Sequence, residues 1–283
     1  MSIALFTLLV FTGSMLAGLV GSLTGLGGGV VLIPLLTLGF HVDIRYAIGA
    51  SLVSVIATSS GAAAAYVREG YTNVRIGMFL EVATTLGALA GAFLATRVPV
   101  RALGIIFGLV LLYSAWQGRS GQHEEPPTKA VPPDADRPRE RLRLSGTYPD
   151  GQGGEIAYRA SHAAGGFATM LVAGALSGML GIGSGAIKVL AMDRIMRIPF
   201  KVSTTTSNFM IGVTAAASAG IYLKRGYVDP GLTFPVMLGV LAGSMTGAKL
   251  LMRARVPVLR AIFTLVIAAL GVEMILHSWM GGL

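Results

Sequence analysis

The 283-residue chain has no cysteine, which excludes disulfides, thiolate metal sites and any thiol-based catalysis or sulfur relay carried by the chain itself. Charge is also scarce. Only 12% of residues are charged, about half the share usual in soluble domains, and 13 acidic side chains stand against 22 Lys and Arg. His41, His162 and His277 are isolated, with no acidic or histidine partner at helical spacing, so no metal site is expected. Walker, dinucleotide and Ser-His-Asp patterns are missing as well. These absences argue against an ATP-driven pump and against a membrane enzyme, and no cofactor is expected. The net charge of +9 lacks the basic-aromatic interleaving of a nucleic-acid binder; it reads as topology bias and attraction to anionic lipid or substrate.

What the chain does have is apolar length. Hydrophobic residues make up 53% and the mean hydropathy is +0.71. Runs near the roughly 20 residues needed to cross a bilayer recur at Ile3–Leu23, Ala47–Val67, Ile76–Thr96, Ala102–Trp116, Gly165–Leu180, Thr204–Leu223, Leu232–Met252 and Ala261–Trp279. Met1-Ser2-Ile3 lacks the basic region of a cleavable signal, so the first run is expected to remain as a helix. Two shorter stretches, Val30–Phe40 and Ala186–Met196, are each about half a span. Most of the 39 glycines suit close helix packing in lipid, as in Gly87-Ala88-Leu89-Ala90-Gly91.

The chain is duplicated. One constant offset of 156 pairs Gly25-Leu26-Gly27-Gly28-Gly29 with Gly181-Ile182-Gly183-Ser184-Gly185, Arg45 with Lys201, Ser51 with Ser207, Tyr66 with Tyr222, Gly70-Tyr71 with Gly226-Tyr227, and Gly87 and Gly91 with Gly243 and Gly247. The expected organisation is a first membrane repeat over 1–117, a flexible polar linker over 118–160, rich in Pro and charge, and a second repeat over 161–283. If both half-length stretches cross, each repeat has five segments and the halves are inverted. Arg75, the linker, Arg194, Arg197, Lys201, Arg253 and Arg255 then share one face, which the positive-inside rule puts in the cytoplasm, with both termini outside. The fold class is therefore all-α integral membrane, two pseudo-symmetric, inverted helical repeats with broken helices and roughly 8–10 membrane segments. The expected location is the cell inner membrane.

Paired glycine clusters that interrupt hydrophobic segments at matching places point to broken helices at a transport site. Gly25, Gly27, Gly28, Gly29, Gly181, Gly183, Ser184 and Gly185 supply bare N–H groups that can hold an anion, although close packing or a tight turn would use the same residues. Ser51, Ser207 and Asn208 begin long apolar runs and can donate to an oxyanion; they can equally satisfy their own helices. Arg45 and Lys201 are repeat equivalents ahead of those runs. Lys188 and Lys249 lie inside apolar segments, where a lysine faces a cavity or partner unless it snorkels. Glu81 and Glu273 are the acids available to carry a coupled proton, and Tyr66, Tyr71, Tyr222 and Tyr227 read as interfacial anchors.

The stretch Gly18-Leu-Val-Gly-Ser-Leu-Thr-Gly-Leu-Gly-Gly-Gly-Val-Val-Leu-Ile-Pro34, the later Ala50-Ser51, and Gly174-Ala-Leu-Ser-Gly-Met-Leu-Gly-Ile-Gly-Ser-Gly185 resemble the sulfite exporter TauE/SafE family. The resemblance covers both repeats and implies a permease that exports sulfite, sulfonates or related organosulfur anions. Leu190 stands where Pro34 stands in the first repeat, a departure that bears on helix geometry. The reading is a secondary transporter whose repeats rock about a midplane site, with lipid and a small sulfur-containing anion as partners and a homodimer allowed. An anion channel and a membrane sensor acting through the linker are the alternatives.

Overall fold

The computed structural model describes residues 2–24, 28–68, 71–119, 144–149, 154–251 and 256–281. Within them lie ten α-helices and one β-hairpin. The first repeat contributes α1 (Ile3–Thr24), α2 (Gly29–Pro34) continued by a π-helical turn over Leu35–Gly39, α3 (Ile44–Arg68), α4 (Val74–Ala95) and α5 (Val100–Arg119). The second contributes α6 (Ala163–Leu180), α7 (Gly185–Leu190) with its π-helical turn Ala191–Ile195, α8 (Phe200–Lys224), α9 (Pro230–Leu251) and α10 (Val256–Trp279). The limits of α2, α3 and α4 map onto α7, α8 and α9 by the offset read from the sequence. Pro34 lacks a backbone donor, yet the π-helical turn also forms after Leu190, so the proline does not cause it.

The two half-length helices fold back along the helix before them. A Cβ on Gly28 would approach Gly18 and Ala17 in the middle of α1, and the far end of the same segment reaches Phe6, whose ring meets Phe40 edge-on at 5.9 Å. The second repeat does the same: Ser184 Oγ donates to Ala173 O at 2.7 Å and Ser161 N donates to Met196 O at 2.8 Å.

The repeats are interleaved. Helix α1 packs most extensively on α9, and α4 on α6, so each tight pair takes one helix from each half; α3 crosses α8, and α5 packs on α10. Glycines make the swap possible. A Cβ on Gly87 would run into Leu171 O, and one on Gly174 into the backbone of Thr84; the pseudo-equivalent Gly243 and Gly18 would meet Met15 O and Val240. Small residues at such seams let backbones touch where no hydrophobic force holds helices together. Large apolar side chains sit on the outside instead, among them Leu16, Leu86, Leu109, Phe234 and Leu265, all more than half exposed. Val74–Ala95 and Ala163–Leu180 each present a window long and apolar enough to cross a membrane, and shorter apolar windows occur in six other segments.

The polar linker is not featureless, and the fold is not purely helical. Ser145–Pro149 and Glu155–Arg159 form an antiparallel hairpin, β1 and β2, with Gly146 opposite Tyr158. Alternation along β2 turns Tyr158 inward, where with Leu144 and Ala160 it joins the core of Ile76, Met196 and Val202. Asn73, the N-cap of α4, accepts from Ile76 N at 3.0 Å, donates through Nδ2 to Tyr158 Oη at 2.7 Å, and donates through its backbone to Thr206 Oγ1 at 3.1 Å. Burial holds the Tyr158 phenol above the ordinary tyrosine range. The remaining linker positions, 120–143 and 150–153, lie outside the described residues.

Candidate functional site

The second glycine break is the better described of the two. Gly181 (φ +68°) and Gly183 (φ +72°) adopt the left-handed conformation that a side chain resists, and Ser184 (φ +42°) adopts it at a cost of about 1–2 kcal/mol. Its hydroxyl bond to Ala173 O helps hold it there. Helices α3 and α8 grip the break from both sides. Ser51 Oγ donates to Gly181 O at 2.9 Å, and Ser207 Oγ donates to Gly185 O at 3.3 Å. A Cβ on Gly183 would be 3.0 Å from Ile211 Cγ2, and one on Gly181 would be 2.8 Å from Ile48 Cγ2.

The first break joins the same junction. A Cβ on Gly29 would stand 2.5 Å from Ser51 Oγ and 3.0 Å from Gly181 O. Thus Gly29, Ser51, Gly181, Gly183, Ser184, Gly185 and Ser207 come together although they are up to 178 positions apart. Gly28 is the N-cap of α2 and faces Val240 and Gly18; Gly25 and Gly27 lie outside the described residues. Beside the junction a cavity of about 10 Å³ is lined by Val30, Val110, Ser114, Ile182, Ser184, Gly185 and Ile187. It has room for about one water. Anything larger than a water needs the junction to open.

Other sequence candidates sit elsewhere. Arg45 lies at one end of the bundle: its Nη2 donates to Val98 O at 3.0 Å and its guanidinium carbon stands 5.6 Å from the Tyr227 ring centroid. Lys201 is exposed at the start of α8, the opposite end, and Asn208 is half-buried next to Ser207. Neither basic residue is brought to the glycine junction, because each opens its helix at the bundle rim. Glu273 is exposed on the outer face of α10. Tyr222 is no interfacial anchor: it is fully buried and donates to Met179 O at 3.1 Å, just before the second break.

Among the described residues Lys188 and Glu81 carry charge into the interior; the side chain of Lys249 lies outside what the structure describes. Lys188 lies one turn past the break, is fully buried, and donates through Nζ to Thr214 Oγ1 at 2.7 Å. Thr214 Oγ1 in turn stands 2.8 Å from Glu81 Oε1 and 3.4 Å from Thr84 Oγ1, and Thr85 Oγ1 donates to Glu81 Oε1 at 3.2 Å. The second Glu81 oxygen, Oε2, is buried without a partner. Thr214 Oγ1 accepts from Lys188 and has two acceptors for its own proton, Glu81 Oε1 at 2.8 Å and Met210 O at 3.0 Å; donation to the carboxylate, the shorter contact, joins cation to acid through one hydroxyl. Of this group the sequence singled out Lys188 and Glu81 separately. The threonines escaped notice because a hydroxyl in a membrane helix more often satisfies its own backbone. One signal was available: under the repeat offset Lys188, Glu81 and Thr84 fall opposite Leu32, Met237 and Val240, so polarity is concentrated in one half.

Comparison with known proteins identifies relatives along almost the whole chain. The chain is 26% identical over 277 residues to the probable membrane transporter protein YunE of Bacillus subtilis, covering 95% of this chain and 97% of the relative. It is 27% identical over 243 residues to YdhB of the same organism, covering 86% and 89%, and 26% identical over 279 residues to a probable membrane transporter protein of Xylella fastidiosa, covering 96% and 97%. No solved structure matches. The family model described as sulfite exporter TauE/SafE matches residues 10–274, both repeats and the segment between them. With that span matched, the chain belongs to the sulfite exporter TauE/SafE family, whose members are membrane transporters and not enzymes.

Proposed function

We propose that this transporter exports a small sulfur-containing anion, such as sulfite, a sulfonate or a related organosulfur oxyanion, across the cell inner membrane by alternating access. The observation that carries the reading is the meeting of both helix breaks at one buried junction braced by Ser51 and Ser207. Opening it would present the Ser51, Ser184 and Ser207 hydroxyls and the backbone N–H groups of the breaks to an oxyanion. The family name supports the sulfur chemistry. The small cavity beside the junction, with room for about one water, fits a carrier in an occluded state.

The repeats are inverted in this reading. Helix α1 begins at the end that carries Arg45 and Val98, where Gly281 near the C-terminus approaches Arg101, whereas α6 begins at the end that carries the hairpin and Met196. The hairpin end exposes Arg75, Arg194, Arg197 and Lys201 and is assigned to the cytoplasm, leaving both termini outside. The inside-negative potential then favours export by about 2.3 kcal/mol at 100 mV for each net negative charge that crosses.

Counterflow of radiolabelled sulfite in proteoliposomes, with sulfate, thiosulfate and a small sulfonate as competitors, tests this. Saturable exchange that is lost in Gly183→Leu is expected. Conductive, non-saturating flux would make the protein a channel, and no exchange of any sulfur oxyanion by folded protein would refute the substrate class.

A further inference from the structure

We propose that Lys188 and Glu81 form a proton-linked anion switch, in which the Lys188 ammonium is balanced by the Glu81 carboxylate when the carrier is empty and by the transported anion once Glu81 has taken up a proton. The proposal deepens the transporter reading and rests on it.

Lys188 is fully shielded from solvent and lies in the first turn after the break, its backbone N–H bonded to Ser184 O. A buried ammonium needs a counter-charge. Glu81 supplies one at a remove: Thr214 stands between them, so the two charges communicate through a hydroxyl without touching. One carboxylate oxygen, Glu81 Oε2, has no partner in the interior and is the atom able to accept a proton. Among the described residues Glu81 is the acid that acts on Lys188. Helix α6, packed on α4, has no titratable side chain between Ala163 and Leu180; on α8 Lys201 lies at the exposed start and Tyr222 and Lys224 at the far end; on α4 Arg75 is exposed at the first turn; and Asp193 and Arg194 lie beyond Lys188 on the next turn.

The charged pair is present in one half only. Leu32 and Met237 fill the equivalent places in the other and Val240 stands opposite Thr84, while Thr214 has Thr58 as its counterpart, so the repeat fold forms without the two charges. A cation and an acid kept in one copy suit a task performed once per transport cycle.

The balance is simple. A proton from water adds to Glu81 Oε2, the carboxylate becomes neutral, and the Lys188 ammonium is released to pair with the anion; on the far side the anion departs, the proton returns to water and Glu81 again balances Lys188. One proton accompanies one anion, and by reciprocity anion binding strengthens proton binding. A monoanion then crosses without net charge, while a dianion retains one charge on which the membrane potential acts.

The test is sulfite counterflow and net flux in proteoliposomes with a pH-sensitive dye trapped in the lumen. Wild type should move one protein-carried proton with each sulfite and slow as pH rises. Glu81→Gln should show flux that no longer responds to pH through the protein and carries no extra proton; sulfite's own protonation contributes equally to both proteins and cancels in the comparison. Lys188→Met should lose saturable counterflow, and Glu81→Gln/Lys188→Met, which leaves no lone charge, should elute as folded protein yet remain inactive. Wild-type proton coupling in Glu81→Gln, or saturable exchange by Lys188→Met, overturns the switch. Sulfite exchange by wild type with no protein-carried proton overturns the switch alone, whereas no exchange by wild type overturns the transporter reading and the switch with it.

Discussion

Replacing Gly87 by alanine adds one methyl group to a seam that has no space for it. The new Cβ would run into Leu171 O and stand 2.9 Å from Ala175 N. Both neighbours are backbone atoms of α6, so no rotamer relieves the clash; the helices must part by about 1 Å, a gap that forfeits a quarter to a half of each dispersion contact along the seam. Overpacking of this kind costs about 1–3 kcal/mol, and the rigidity of the obstacle places Gly87→Ala near the upper figure. At roughly 2 °C per kcal/mol for a chain of this size, the melting temperature in detergent should fall by about 6 °C. Gly220, on the exposed face of α8, has nothing within 4 Å of an added Cβ. Gly220→Ala should therefore stabilise by about 0.5–1 kcal/mol through helix propensity alone. Thermal unfolding followed by size-exclusion recovery distinguishes the two signs. The packing argument is refuted if Gly87→Ala melts with wild type, or if Gly220→Ala drops as far as Gly87→Ala. Gly243→Ala, the pseudo-equivalent that meets Met15 O and Leu19 N, should match Gly87→Ala in size.

Ser51→Ala removes the donor to Gly181 O and should cost about 1 kcal/mol while slowing sulfite counterflow; unaltered counterflow would remove Ser51 from the site. Tyr222→Phe leaves the Met179 carbonyl buried without its hydroxyl and should destabilise by about 1–3 kcal/mol in the same melting assay. Tyr158→Phe loses the bond to Asn73 and should raise hydrogen exchange in β1 and β2 without lowering the global melting temperature; protection equal to wild type would show that the hairpin is held by its apolar contacts alone.

Much of this architecture is legible in the residues. The offset that pairs Gly25–Gly29 with Gly181–Gly185 also sets the limits of α2, α3 and α4 against α7, α8 and α9, since duplicated apolar patterns impose duplicated helices. The half-length runs Val30–Phe40 and Ala186–Met196 become fold-back helices within a residue of where their length places them. The partner of each helix is harder to read. Gly87 and Gly174 announce a close approach but not to whom, because a small residue is complementary to any backbone. The hairpin is hidden for a compositional reason: prolines and charges surround it, and only Ile156 and Tyr158 alternate in the manner of a strand. Repeat equivalence does not place Arg45 and Lys201 at the junction, because it records shared ancestry as readily as shared position, and both lie at helix starts on the bundle rim. Lys188 was visible as a charge without a reason to be there; Thr214, which connects it to Glu81, was not.

The interleaving bears directly on how the transporter moves. Two repeats rocking as units would have to slide α4 past α6 and α1 past α9, along seams where backbone meets backbone at Gly87, Gly174, Gly18 and Gly243. Seams that tight behave as single bodies. We predict that the moving bodies are then mixed, α1, α9, α2 and α3 on one side and α6, α4, α7 and α8 on the other, meeting where α3 crosses α8 at the glycine junction. The absence of native cysteine makes this testable without background. A Cβ on Gly212 would lie 3.4 Å from Ser59 Cβ across the α3–α8 crossing, close to disulfide geometry, and the Phe79 and Phe167 rings on α4 and α6 are 5.5 Å apart, within reach of a short bifunctional thiol reagent. Oxidised Ser59→Cys/Gly212→Cys should stop sulfite counterflow and recover on reduction, because it ties the two bodies together. Cross-linked Phe79→Cys/Phe167→Cys should keep transporting, because it ties a body to itself, whereas repeats moving as units require that the α4–α6 link arrest transport as fully as the α3–α8 link.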